Sequence, residues 1–184
     1  MKIKYITGRG GDALGGLSKY LATLSLEYQA LALDQAFLAK TFPDQVLSVR
    51  DFCGDQNSSV IANSYGAYLL LQALIDQPPL DARMMLLSPV LGRANSKKRM
   101  LISRPPGEKA LKLAILEGRL GLPNHLEILT GSDDESCDAS LAVETAAKLG
   151  AHVCVLQNEG HMITPSKVET AVNAFLWPKK FNEE

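Results

Sequence analysis

Cysteine is scarce in this chain and scattered. Cys53, Cys137 and Cys154 are odd in number and widely spaced, so they form neither a metal-ligand pattern nor a redox pair, and a reducing compartment is expected. No charge of one sign dominates: 19 Lys and Arg stand against 20 Asp and Glu, a formal net charge of −1. That balance supplies no global field for nucleic acid or an acidic membrane surface. No apolar run approaches the roughly 20 residues needed to span a bilayer. The apolar stretch within Met1–Thr7 is too short for a signal peptide. Internal repeats and low-complexity linkers are absent as well. What is there is 184 residues, 46% of them apolar, the size of one ordinary domain with a substantial core. The expectation is a single cytoplasmic domain over 1–184, with no nucleic-acid partner, no membrane contact, no metal and no cofactor.

Strand-like and helix-like patterns alternate from end to end. Short apolar runs at Ile3–Thr7, Tyr28–Leu33, Ser59–Ala62, Met84–Leu87, Leu126–Leu129 and Val153–Leu156 read as strands. Between them, Leu14, Leu17, Leu21 and Leu24 recur at helical spacing, and Pro43 suits the first turn of another helix. A third helix follows Ser64 and runs to the break at Pro78-Pro79. Further helices are predicted near Glu108 to Leu116, Leu141 to Leu149 and Pro165 to Leu176. This alternation predicts an α/β fold: a doubly wound, mainly parallel six-stranded sheet with helices on both faces. In such folds ligands sit beyond the carboxyl ends of the strands, near the switch point in strand order.

The segment Val60–Ala67 carries the strongest chemical signal. Ser64 stands between Ala62 and Gly66 where the apolar run ends and the helical pattern begins. A sharp strand-to-helix turn of this kind strains the serine backbone, tolerates only small neighbours and lifts the hydroxyl clear of the sheet. A serine hydroxyl is a poor nucleophile until a base takes its proton. Of the three histidines, His125 and His152 precede strands and so fall at the opposite edge of the sheet; only His161 follows one. An orienting carboxylate should come from the loop after the preceding strand, where Asp133, Asp134 and Glu135 stand in a row. Asp134 is the choice, with Asp133 as the alternative and Asp138 as a candidate helix cap.

With Ser64, Asp134 and His161 in that order, the chain resembles the α/β-hydrolase family over nearly its whole length. Gly131 three residues before Asp134, Gly160-His161, and Asp34 closing the second strand fit the same pattern. The resemblance implies a truncated form of the fold lacking its first two, antiparallel strands. It also implies an oxyanion hole built from the backbone N–H groups of Arg9 and Tyr65, each donor worth about 3 kcal/mol. The loop that often reads His-Gly in that family reads Thr7-Gly8 here. A small cap-like insertion is expected around 92–123, with a basic cluster at Arg93, Lys97, Lys98, Arg99 and Arg104. The implied activity is that of a minimal, lidless serine hydrolase, an esterase or thioesterase forming an acyl-enzyme, with a small-molecule acyl substrate. An uncapped site suggests small, soluble acyl groups.

Two rival readings belong to other classes. Gly8-Arg9-Gly10-Gly11-Asp12-Ala13 fits a G-x-G-x-x-A dinucleotide pattern after a first strand. That reading leaves Ser64 and His161 unexplained. The other rival is a hydrolase-like fold serving as a binding module without turnover.

Overall fold

Every apolar run expected to be a strand lies in one sheet. A computed structural model describes residues 2–54, 58–92 and 105–178. In chain order the elements are β1 (Lys2–Arg9), α1 (Gly16–Thr23), β2 (Glu27–Leu33), α2 (Gln35–Leu38), α3 (Phe42–Cys53), β3 (Ser58–Asn63), α4 (Tyr65–Ala73), β4 (Ala82–Leu87), α5 (Glu108–Leu116), β5 (His125–Gly131), α6 (Ala139–Leu149), β6 (His152–Leu156) and α7 (Pro165–Leu176). The order across the sheet is β2-β1-β3-β4-β5-β6. All of its pairings are parallel, so the sheet is wholly rather than mainly parallel.

The strands are apolar on both faces because both faces are covered. Ile6, Val60, Ala62, Met84, Leu86 and Ile128 point into one core, which α2 to α6 close. Their sequence neighbours Tyr5, Ile61, Met85, Leu87 and Leu129 point into a second core, closed among the described residues by α1 and α7. This period-two alternation is the ordinary strand geometry. The division of labour between faces is unequal, and it matters below.

Local signals set most helix ends. Asp34 caps α2 through Phe37 N–H, Thr41 caps α3 ahead of Pro43, and Asp138 caps α6 through Ser140 and Leu141. The exception is α4. It ends at Ala73, well before the Pro78-Pro79 break expected from sequence. A tertiary contact stops it: Asp76 N–H donates to Arg119 O, Gly121 N–H donates to Leu74 O, and Ile75 bridges Leu120. The Arg119 guanidinium then pairs with the Asp76 carboxylate.

The chain leaves β1 for β2 on one side and returns to β3 on the other, so the switch point lies between β1 and β3. Loops diverge there and a crevice opens at the carboxyl edge. Helix α4 passes so close to β1 that a Cβ on Gly66 would stand 2.3 Å from Thr7 O. Only glycine fits, which is the physical content of the small residue two places after Ser64.

The described part of the expected cap packs as another helix of the covering layer. Tyr68 Oη donates to Pro106 O, Gln72 Nε2 donates to Gly107 O, and Leu111 of α5 enters the first core. Arg93, Lys97, Lys98, Arg99 and Arg104 lie outside the described residues.

Candidate active site

Ser64 sits at the point where β3 becomes α4, with φ 51° and ψ −114°. That region is sparsely populated for a residue with a side chain and costs on the order of 1–3 kcal/mol. The surroundings hold it in place. Ser64 N–H donates to Leu87 O at 2.8 Å, while Ser64 O accepts from Tyr68 and Val90 N–H at 3.2 and 3.3 Å. The strain turns the hydroxyl out of the sheet, toward the carboxyl edge.

His161 and Asp134 reach the same spot. Ser64 Oγ lies 2.9 Å from His161 Nε2, and His161 Nδ1 lies 3.0 Å from both carboxylate oxygens of Asp134. Asp134 is fully buried, and its Oδ1 also accepts from Ser136 and Cys137 N–H at 2.7 and 2.8 Å. An ionised carboxylate only accepts, so Nδ1 carries the proton and Nε2 offers its lone pair to the Ser64 hydroxyl. Asp133, the alternative acid, is exposed and accepts from Ser132 Oγ instead. His125 and His152 begin β5 and β6, with their rings 6.0 Å apart at the far edge of the sheet.

The loops bearing Asp134 and His161 are tied together by Glu159, a residue the sequence reading passed over. Its carbonyl accepts from Asp133 N–H and lies so near β5 that a Cβ on Gly131 would stand 2.0 Å from it. Its carboxylate accepts from Thr164 N–H at 2.8 Å and pairs with Lys167 Nζ at 2.5 Å. Lys167, and next the Thr164 N–H, hold the Glu159 carboxyl below the usual carboxylate range. The only sequence signal was an acid just ahead of a helix N-terminus. Because the folded pKa is depressed, the stabilisation is complete above the unfolded value of about 4.3 and vanishes as pH falls through the folded one. Glu159→Gln is expected to melt at a lower temperature than the wild type at pH 7, the gap closing in acid. Melting curves from pH 7 to pH 3 check this, and a constant gap would refute it.

On the other side of Ser64 stands the glycine loop. A Cβ on Gly8 would contact Ser64 Cβ and Asn63 Nδ2, both at 3.4 Å. Thr7 anchors the loop: its Oγ1 accepts from Leu33 N–H at 2.8 Å and donates to Gly8 O at 3.1 Å. Gly10 N–H donates to Leu33 O. Alternation along the strand therefore turns the Arg9 N–H away from β2. The Arg9 guanidinium lies over the Tyr65 ring, 5.8 Å from its centroid. Tyr65 opens α4, so its N–H lacks an intrahelical acceptor.

A cavity of about 680 Å³ joins these parts, with Gly8, Arg9, Ser64 and His161 on its walls. Ser88 also lines it, at the end of the strand beside β3. This residue is buried with φ 41°, and its hydroxyl has no hydrogen-bond partner among the described residues. No motif marks it in the sequence. The thiols of Cys53 and Cys137 are buried, and burial pushes both up to about 12, with the neighbouring Asp134 carboxylate adding to the rise at Cys137.

No family model matches the sequence, and no curated protein matches it significantly. Solved structures do. The ydeN gene product of B. subtilis superposes with a TM-score of 0.67 at 14% identity, over 95% of this chain and 98% of that one. A predicted CIB-like hydrolase from Thermoplasma acidophilum gives 0.65 at 14% identity, over 95% and 85%. A carboxylesterase from the thaumarchaeon Nitrososphaera gargenis gives 0.63 at 15% identity, over 95% and 89%. The chain has the α/β-hydrolase fold. Within the described residues every strand pairing of this α/β-hydrolase sheet is parallel. Ser64 occupies the strand-to-helix turn at the switch point of that fold.

Proposed function

We propose that this protein is a serine hydrolase that cleaves an acyl ester or thioester by acyl transfer. The observation that carries the reading is the unbroken hydrogen-bonded chain Ser64–His161–Asp134 beside the N-terminus of α4. Ser64 Oγ attacks the carbonyl carbon while His161 Nε2 takes its proton. Asp134 keeps His161 in the required tautomer and stabilises the imidazolium that forms. The N–H groups of Arg9 and Tyr65 receive the negative charge of the tetrahedral intermediate. His161 then protonates the leaving alcohol or thiol. Water, deprotonated by the same imidazole, releases the acyl group, and no cofactor enters these steps.

The dinucleotide reading is weaker on the geometry. Its pattern ends at Ala13, whereas α1 opens only at Gly16, so those glycines do not sit on the helix N-terminus that would hold a pyrophosphate. We place the protein in the cytoplasm on its cysteine usage. Among the described residues no helix is long and apolar enough to cross a membrane.

A fluorophosphonate probe is expected to label the wild-type chain on Ser64, and Ser64→Ala is expected to abolish labelling. A melting-temperature shift with a dinucleotide, without labelling, would favour the rival. Silence in both tests would leave a binding module.

A further inference from the structure

The second core is underfilled at the carboxyl edge. Among the described residues five helices cover one face of the sheet, but α1 and α7 alone cover the other. Each of these two starts at the carboxyl edge and runs down toward the amino edge. They lock together below their first turns, where Tyr20 Oη donates to Asn173 Oδ1 at 2.7 Å. Above that seam they stand apart, and the cavity at Ser64 descends between them.

The lining of this groove is apolar. Leu17 in the first turn of α1 faces Val168 in the first turn of α7, with Ile163 beside it and Tyr5 and Leu87 from the sheet as the floor. The Tyr5 phenol on that floor is already engaged. Burial pushes the Tyr5 phenol up to about 12, while its hydrogen bond to Asn63 pulls the other way. The charged residues on the lining are one cation, Arg9, and two anions, Asp12 and Glu169, and Arg9 and Asp12 are exposed. At the mouth, Met162 is 86% exposed; Leu14, next to the lining residue Gly15, is 83% exposed. A volume of about 680 Å³ is in the range of small-molecule sites.

We infer that this groove holds the acyl chain of the substrate, and that the chain is uncharged, apolar and longer than acetyl, with Leu17 and Val168 limiting its length. The inference rests on the serine-hydrolase reading above, because the groove is continuous with Ser64 and His161. It revises the expectation of small, soluble acyl groups. That expectation concerned the space above Ser64, whereas this space lies below it, between two helices. A charged acyl tail would lose its hydration there with no partner to replace it.

The test is a p-nitrophenyl ester series from acetate to decanoate on the full chain, run beside fluorophosphonate labelling. Each methylene that enters the groove is expected to raise kcat/KM about three- to fourfold, up to a length at which the rise stops. Leu17→Trp and Val168→Phe, from opposite walls, are each expected to lower the octanoate-to-acetate ratio of kcat/KM by tenfold or more. Melting temperatures confirm that the variants are folded. A series that is flat or falls from acetate onward, in a chain that labels normally, overturns the groove and leaves the hydrolase reading standing. Equal ratios in the wild type and both folded variants overturn it as well. A chain that neither labels nor turns over ester overturns both readings together.

Discussion

Replacing His161 by alanine is expected to lower kcat on an activated ester about 10⁶-fold, Ser64→Ala to do the same, and the double variant to lose no more. The reason is that the two side chains act as one device. Ser64 Oγ is not a nucleophile at neutral pH unless its proton has an acceptor, and the acceptor 2.9 Å away is His161 Nε2. Removing either partner removes the same step, so the second removal has nothing left to cost. Residual catalysis of about 10³–10⁴ over water is expected from the N–H donors and from binding. Steady-state rates of the single and double variants measure this directly. Ser64→Ala should fold normally, since alanine adds no atom to a site that already accommodates φ 51°. If His161→Ala kept a tenth of wild-type turnover while folded, another group would be the base and the proposed chemistry would be wrong.

Asp134→Asn is expected to lower kcat about 10⁴-fold, while Asp133→Asn stays within a few-fold of wild type. The hydrogen bonds at Asp134 dictate how asparagine must sit. Oδ1 accepts from Ser136 and Cys137 N–H, so the amide oxygen takes that position. The amide NH₂ then replaces Oδ2, 3.0 Å from His161 Nδ1. An NH₂ group donates, which drives the ring proton from Nδ1 to Nε2. His161 then points an N–H at Ser64 and has no lone pair there to accept the serine proton. Asp133 is exposed and its carboxylate accepts from Ser132 Oγ, so its charge acts through solvent. Full turnover in Asp134→Asn, with loss in Asp133→Asn, would reverse the assignment.

Much of this arrangement could be read from residue order. The alternation of short apolar runs with amphipathic stretches required a parallel sheet, because only crossover helices join parallel neighbours and only burial on both faces tolerates such runs. Position relative to those runs was enough to separate His161 from His125 and His152, since every parallel strand presents the same end to the same edge. The spacing Ala62-x-Ser64-x-Gly66 marked a turn in which a Cβ on Gly66 would stand 2.3 Å from Thr7 O. These features are local, or follow from direction along the chain.

Other features depended on parts of the chain that meet only after folding. Which of two adjacent aspartates turns inward was set by the Ser136 and Cys137 N–H groups and by the Glu159 carbonyl arriving from the next loop. The early end of α4 was set by Arg119, Leu120 and Gly121 pairing with the residues that would have continued it. The groove between Leu17 and Val168 exists because two helices, far apart in sequence, are the whole cover of one face and meet only below their first turns. Hydrophobic period and residue order carry information about direction and burial, and so they determined the sheet, its functional edge and the serine on its turn. Distances between side chains on separate elements are sums over the entire packed structure, so the inward turn of Asp134, which the sequence favoured without excluding Asp133, the end of α4 and the shape of the cavity were decided by tertiary structure.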